Sequence, residues 1–337
     1  MSPPSLPATR DELRQLLGLS AEALAGLLDA DGTQHSSNYR VFTIPKGRSS
    51  GWRRISAPTA RLLAVQRLIL LNALVESRPH PASSAFSLGS SIVRNAAAHL
   101  SSALIVVLDL RDFFGTTTYA QVVQAFLNIG AGIEVARLLA LLCTEPTGRR
   151  PSQLEHDLGL TVGRALPQGA PTSPAIANLV AFDLDQAMSL LANEAGCRYT
   201  RYSDDLTLSS TRAGIDADWL LREAYRIVVD HGFSVNITKT RAMTDRDRQL
   251  VTGLIVNPVA GPREGTMSAA PRVPRRRMRE YRAFLHQCKV KGPAALTREE
   301  WNRARGIVAF VQMVSRDQAD RLVRGNEWLA DRQGPAG

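Results

Sequence analysis

The sequence is poor in cysteine and has no long apolar run, and each absence excludes a class of protein. Its 337 residues include three cysteines, Cys143, Cys197 and Cys288. They are odd in number, far apart and without metal-type spacing, which argues against a disulfide framework and a zinc site and fits a reducing compartment. No stretch approaches the roughly 18 apolar residues of a membrane span, and the opening MSPPSLPATRDELRQ has no apolar h-region. A soluble, cytoplasmic protein with no membrane partner is therefore expected. Internal repeats and low-complexity tracts are also missing. With 44% hydrophobic and 21% charged residues, the chain belongs among folded globular proteins rather than disordered ones. Its length allows two domains or one molecule of several lobes.

Positive charge is plentiful. A formal charge of +10 and a pI near 10.1 point to polyanionic partners, nucleic acid before an acidic membrane surface. The charge is concentrated: residues 258–337 hold 16 Lys and Arg against eight Asp and Glu. Within them, RVPRRRMREYRAFLHQCKVKG sets eight basic residues around Tyr281 and Phe284 on a predicted helix. Such a run is either a solvated helix face or a docking surface for nucleic acid.

Periodicity organises the rest. Thr9 and Glu12 stand at capping-box spacing ahead of two short helices. NYRVFTIPKGRSSGWRRISAP alternates about a Gly/Ser turn and predicts a basic hairpin from Tyr39 to Ser56, followed by an amphipathic helix in TARLLAVQRLILLNALVES. SALIVVLDLRDFF predicts a strand buried on both faces, with its first charge, Asp109, near its end. Helices are expected in YAQVVQAFLNIG and EVARLLALLCTE. In LPQGAPTSPAIANLVAFDLDQAMSLLANEAG, Gly and Pro give way to one long helix that Gly196 ends. CRYTRYSDDLTLS reads as a hairpin with Asp204 and Asp205 at its tip. The segment from Asp216 to Thr240 reads as helix, turn and strand, and QLVTGLIVN as another strand.

The aspartate pair poses a chemical question. Two carboxylates about 4 Å apart repel by about 4 kcal/mol at an effective dielectric near 20. Solvent offsets that in a wet turn; a hard cation offsets it in a phosphoryl-transfer site, where carboxylates and phosphates share Mg²⁺. The second answer needs a further carboxylate, and Asp109 at the end of a buried strand is the candidate. Three carboxylates on adjacent antiparallel strands suit two metals roughly 3.5–4 Å apart that clamp the attacking and leaving oxygens of an in-line displacement.

VVLDLRDFF, LPQGAPTSP and RYSDDLTLS, in that order, resemble the palm motifs of reverse transcriptases, and YSDD is similar to their Tyr-x-Asp-Asp box. Upstream, RRISAPTARLLAVQ resembles the fingers motif with an Arg five residues before a Pro and a Gln eight after it. Downstream, HGFSVNITKT resembles the motif with Gly and Lys. The colinear matches run from about Tyr39 to Asn257. The resemblance implies an α+β right-hand polymerase fold: fingers, a palm of antiparallel sheet backed by helices, and a helical thumb. Its implied divisions are an N-terminal extension (1–37), fingers (38–103), palm (104–120), a fingers insertion (121–164), palm again (165–257) and a basic thumb (258–337).

Carried over by position, the family implies that Asp109, Asp204 and Asp205 bind two Mg²⁺ ions. Phe114 falls where the family has an aromatic steric gate beneath the sugar C2′; without the motif it reads as a core ring. Arg53, with Lys46 as a second candidate, matches the contact to the incoming triphosphate. Gln168 and Gly169 match the turn against the nascent base pair, and Lys239 a lysine near the triphosphate. Asn95-Ala96-x-x-His99 and Val251-Thr252-Gly253 resemble the paired boxes of bacterial retron reverse transcriptases, assigned here to RNA contact. Gly115 departs from the proline many relatives carry, and the absence of Gly-Asp-Asp argues against an RNA-copying polymerase.

That branch implies a structured cognate noncoding RNA as template and primer, dNTPs, and a nascent DNA started from a guanosine 2′-hydroxyl to give branched msDNA. A role in antiphage defence with a separate effector protein is also implied. Arg275, Arg276, Arg277 and Arg279 are the expected thumb contacts to RNA. Two other readings stand beside it: a catalytically idle RNA-binding scaffold for an effector, which the intact aspartates disfavour, and an untemplated polymerase of the abortive-infection type, which the paired boxes disfavour.

Overall fold

The structure is a computed structural model and describes residues 6–28, 38–46, 51–75, 77–160, 163–260, 267–268 and 270–330. The chain folds as two compact units. The first takes Met1–Leu88, Asp109–Leu190 and Ala224–Asn236; the second takes Gly89–Leu108, Leu191–Glu223 and Ile237–Gly337.

The first unit opens with α1 (Arg10–Leu16) and α2 (Ala21–Ala25), whose free N-termini are capped by the Thr9 and Ser20 hydroxyls accepting the Glu12 and Ala23 N–H groups. The predicted hairpin forms from β1 (Tyr39–Pro45) and β2 (Trp52–Pro58), paired antiparallel with Tyr39 opposite Pro58 and Pro45 opposite Trp52. Its expected Gly/Ser turn lies outside the described residues apart from Gly51. Helix α3 (Ala60–Asn72) carries the wholly buried Gln66, whose Nε2 donates to the Tyr39 hydroxyl at 3.0 Å and to the Leu142 carbonyl at 2.9 Å. One amide thus joins α3 to the hairpin and to a helix far along the chain.

The chain then supplies α4 (Ile92–Ala97) and most of β3 (Leu104–Asp109) to the second unit and re-enters the first at Asp109. Here follow α5 (Phe113–Thr116), α6 (Tyr119–Asn128) and α7 (Ile133–Cys143), the last two where helical spacing predicted them. Two-residue strands β4 (Glu145–Pro146) and β5 (Arg164–Ala165) pair on either side of α8 (Gln153–Asp157). The long helix expected after Pro171 is instead two, α9 (Ser173–Val180) and α10 (Phe182–Glu194), bent by 50°. The Ala181 N–H still reaches Ala177 and its carbonyl still accepts from Asp185, so the break is a bend within continuing hydrogen bonding, with no Pro or Gly to announce it.

The second unit is built on a four-stranded sheet in the order β6 (Arg198–Tyr202), β7 (Asp205–Ser210), β3, β8 (Arg241–Thr244). Strand β3 is buried at all six residues, as its unbroken apolar run predicts. Two expectations fail. After α11 (Ala217–Asp230), Val235 makes only an isolated bridge to Leu110 and Ile237–Lys239 forms a 3₁₀ turn, so the predicted strand begins later, at Arg241. QLVTGLIVN is two short strands, β9 (Leu250–Val251) and β10 (Leu254–Ile255), because Thr252 and Gly253 both take left-handed backbone (φ 46° and 78°) and reverse the chain.

Helices α12 (Arg275–Lys291), α13 (Arg298–Val314) and α14 (Arg316–Val323) complete this unit. Ile105 and Val107 of β3 share one core with Met278 and Leu285 of α12 and Val311 of α13, so helices and sheet bury the same apolar surface. The three cysteines are unpaired. Among the described residues no single helix is long and apolar enough to cross a membrane.

Replacing Gln66 with Ala strands the Tyr39 hydroxyl and the Leu142 carbonyl in the interior. We expect a loss of about 2–3 kcal/mol and a fall of several degrees in Tm, read by thermal denaturation. A Tm within a degree of wild type contradicts this.

Candidate active site

Asp109 is the last residue of β3 and only 4% exposed. Asn236 holds it twice: its Nδ2 donates to Asp109 Oδ1 at 3.1 Å and its backbone N–H to the Asp109 carbonyl at 2.7 Å. Burial of a charge demands such donors. Asp204 and Asp205 lie, half-buried, at the β6–β7 hairpin, where Tyr202 stands opposite Asp205 and leaves Ser203 and Asp204 as a two-residue turn. Ser203 supplies the left-handed residue (φ 59°) that a tight turn requires. The Arg201 side chain, wholly buried beneath this turn, donates from Nη1 to the Ser203 carbonyl at 3.1 Å.

Sheet topology fixes the direction of the strands. The Ala103 N–H donates to the Ser210 carbonyl at 2.8 Å, so the start of β3 lies beside the end of β7 and the two neighbours run antiparallel. At the other end of these strands Asp109 closes β3 and Asp205 opens β7. Among the described residues, no three His, Cys, Asp or Glu side chains form a group that could hold a metal ion. Carboxylate oxygens nonetheless suit Mg²⁺, which takes one or two carboxylates plus substrate phosphates rather than a closed protein cage. The donor chemistry fits a divalent cation completed by substrate.

In the first unit, Gln168 and Gly169 form a turn docked on β2: the Ser56 N–H donates to the Gln168 carbonyl at 2.8 Å. Gly169 has φ 135°, and a Cβ there would stand 2.9 Å from the Ser56 carbonyl oxygen, so both conformation and space demand glycine. Arg53 is exposed on β2 opposite Ile44, and Lys46 is exposed at the end of β1. Next to Arg53, Arg54 forms a two-pronged ion pair with the buried Glu145, 2.6 Å at its shorter contact. Phe114, half-buried on α5, lies between Phe113 (ring centroids 5.6 Å apart) and Phe86 (6.3 Å). A Cβ at Gly115 would meet the Asp112 carboxylate, so a larger residue there requires that side chain to turn away. In the second unit Lys239 is exposed on the 3₁₀ turn.

The paired boxes of the second unit correct an expectation. Asn95, His99 and Val251 are at most 1% exposed, so they do not present themselves to an RNA. His99 ties the end of α4 to the sheet. His99 Nδ1 lies 2.6 Å from Ser209 Oγ on β7 and Nε2 2.7 Å from Thr200 Oγ1 on β6. The Thr252 hydroxyl donates to the Ile92 carbonyl of α4 at 3.0 Å, so the second box is bonded to the helix that carries the first. Burial, with help from the Arg198 charge, pushes the His99 pKa down to about 3.

On α12, Arg275, Arg276 and Arg279 are exposed, with Arg276 paired to Glu280 at 3.2 Å. Arg277 is half-buried with its guanidinium 5.5 Å from the Phe310 ring, a packing role as much as a surface one.

A family model described as reverse transcriptase (RNA-dependent DNA polymerase) matches residues 44–281. The retron Mx162 reverse transcriptase of Myxococcus xanthus is 36% identical over 313 residues, which are 90% of this chain and 63% of that protein. The retron Mx65 reverse transcriptase of the same organism is 37% identical over 94% of this chain and 70% of that protein. The retron Ec86 reverse transcriptase of Escherichia coli is 30% identical over 85% and 79% respectively. The chain therefore belongs to the reverse transcriptases, a family of RNA-directed DNA polymerases, and within it to the retron reverse transcriptases. It spans just under two thirds of the Mx162 relative's length.

Sequence reasoning missed Arg201, Arg54–Glu145, Asn236 and Phe86. Arg201 left one signal, since a period of two puts it on the same face as the buried Tyr199. The others depend on contacts distant in sequence.

A neutral His99 in the fold and an ordinary one in the unfolded chain make stability depend on pH. The unfolded state binds the proton more tightly, so this contribution is complete above about pH 6.5 and is lost as pH falls toward about 3. We expect stability to drop below pH 6.5 by up to about 1.4 kcal/mol per pH unit from this group. His99→Gln should flatten that slope in denaturant titrations from pH 7 to 5; parallel slopes would refute the assignment.

Proposed function

We propose that this protein is a divalent-metal-dependent RNA-templated DNA polymerase that primes synthesis from a guanosine 2′-hydroxyl in a cognate structured noncoding RNA. The product is branched msDNA. The observation that carries the reading is the sheet direction set by the Ala103–Ser210 bond, which sends the acid ends of β3 and β7 the same way in a chain of this family.

Asp109, Asp204 and Asp205 are the residues that would hold Mg²⁺, two ions in this reading. When bound, the metal neutralises developing charge on the attacking and leaving oxygens of the displacement. The remaining work falls to the chain. Asn236 orients the Asp109 carboxylate, and buried Arg201 braces the turn that bears the other two. Arg53, with Lys46 and Lys239, binds the triphosphate. Phe114 stands under the sugar and excludes a 2′-hydroxyl. The Gln168–Gly169 turn, seated on β2, supports the nascent base pair.

Arg275, Arg276 and Arg279 suit the phosphates of an A-form helix, whose sequence is read in its loops. A separate effector and a role in antiphage defence are part of the proposal by way of the retron relatives.

Two experiments test it. Expression together with the flanking genomic DNA is expected to yield a short branched DNA resistant to RNase; its absence at normal protein levels overturns the msDNA reading while leaving generic reverse transcription standing. Asp204→Asn with Asp205→Asn should reduce Mg²⁺-dependent extension on an RNA template by at least about a thousandfold, about 4 kcal/mol in the barrier. Persisting synthesis would show that the metal set lies elsewhere.

A further inference from the structure

Phe86 adopts left-handed backbone (φ 65°), a conformation that L-residues with bulky side chains avoid. It also leaves 47% of its surface exposed. Neither property favours a phenylalanine locally, and both are imposed from outside. The preceding Ala85 is fully buried and its carbonyl accepts from Asn178 Nδ2 on α9 at 2.9 Å, while Ser83 Oγ donates to Asn178 Oδ1 at 3.0 Å. Asn178 is itself 2% exposed. The buried amide thus clamps the residues before Phe86 and aims its ring.

The ring is aimed at Phe114. The two centroids are 6.3 Å apart with planes tilted by 45°, within the range of favourable aromatic pairing. Phe113 flanks Phe114 at 5.6 Å and is itself backed by Phe233 at 5.7 Å. Phe114 sits on α5, a helix of four residues that starts from the left-handed Asp112. One helical turn does not hold its own shape, because nucleation is unfavourable. The direction of the Phe114 ring is therefore set by its neighbours: the buried Phe113 on one hand, and Phe86 on the other.

We propose that Phe86 is a positioning residue for sugar selection. By fixing the Phe114 ring it prevents the tilt that would admit a 2′-hydroxyl. The proposal rests on Phe114 being the sugar gate, and it adds a second, strained residue through which the gate acts. Phe86 itself touches neither the sugar nor the reacting atoms.

The test is single-nucleotide extension on an RNA template, with kcat and KM measured for a dNTP and the matching rNTP in wild type, Phe86→Ala, Phe86→Leu and Phe114→Val. Phe86→Ala is expected to lower the dNTP-to-rNTP discrimination by about tenfold, through better rNTP kinetics, with dNTP values within about twofold of wild type. Phe86→Leu, which keeps most of the bulk, should recover part of the loss. A merely structural role would slow both nucleotides together and leave their ratio alone.

If Phe114→Val admits ribonucleotides while both Phe86 variants keep the wild-type ratio, the inference is overturned and the gate stands. If Phe114→Val leaves the ratio unchanged, the gate reading fails and takes the inference with it. Should Phe86→Ala lose all activity, Phe86→Leu decides: a shifted ratio with near-normal dNTP turnover supports the inference, and an unshifted one overturns it.

Discussion

Burial of β3 is the constraint on which the rest depends. Six consecutive residues without appreciable exposure can be accommodated only if both edges of the strand are paired and both faces covered. Strands β7 and β8 supply the edges. The core shared with α12 and α13 covers part of the surface, so the C-terminal helices are tied energetically to the same strand that ends in Asp109. Each fully buried Ile, Val or Leu contributes about 1.5–3 kcal/mol, and Ile105, Val106 and Leu108 are all at zero exposure. A strand held this firmly gives its final residue a fixed place, which chemistry at a carboxylate requires.

The polar groups near the aspartates follow from the same burial. A carboxylate at 4% exposure needs donors, and Asn236 provides them from both side chain and backbone. A tight turn bearing two acids needs a left-handed residue and a counterpart beneath it, and Ser203 and Arg201 meet those needs. In the first unit the Gln168–Gly169 turn and Arg54–Glu145 hold β2, which carries Arg53, from two directions.

What was legible in the sequence depended on range. The apolar run of β3, the alternation of β1 and β2 and the caps of α1 are local signals, and the structure follows them. QLVTGLIVN misled because Thr252 is β-branched and prefers extended backbone, while its bond to Ile92, 160 residues away, supports the left-handed turn. The bend at Ala181 had no Pro or Gly to mark it. The aspartates were legible as a pattern of spacing and Arg201 through the period of two it shares with Tyr199, whereas the roles of Asn236 and Phe86 arise from tertiary contacts that no periodicity encodes. The boxes read as RNA contacts show another limit: the motif is recognisable, but Asn95, His99 and Val251 are buried while Thr252 and Gly253 are half-buried, and a sequence pattern does not separate the two kinds.

The Thr252–Ile92 bond couples the turn of one retron box to the helix that carries the other. A chimera that exchanges the segment around Asn95 between relatives while keeping its own Val-Thr-Gly, or the reverse, risks mismatching a hairpin turn and the helix whose carbonyl stabilises it. In this chain the natural unit of exchange is set by that clasp rather than by sequence distance. Segments more than 150 residues apart then have to travel together.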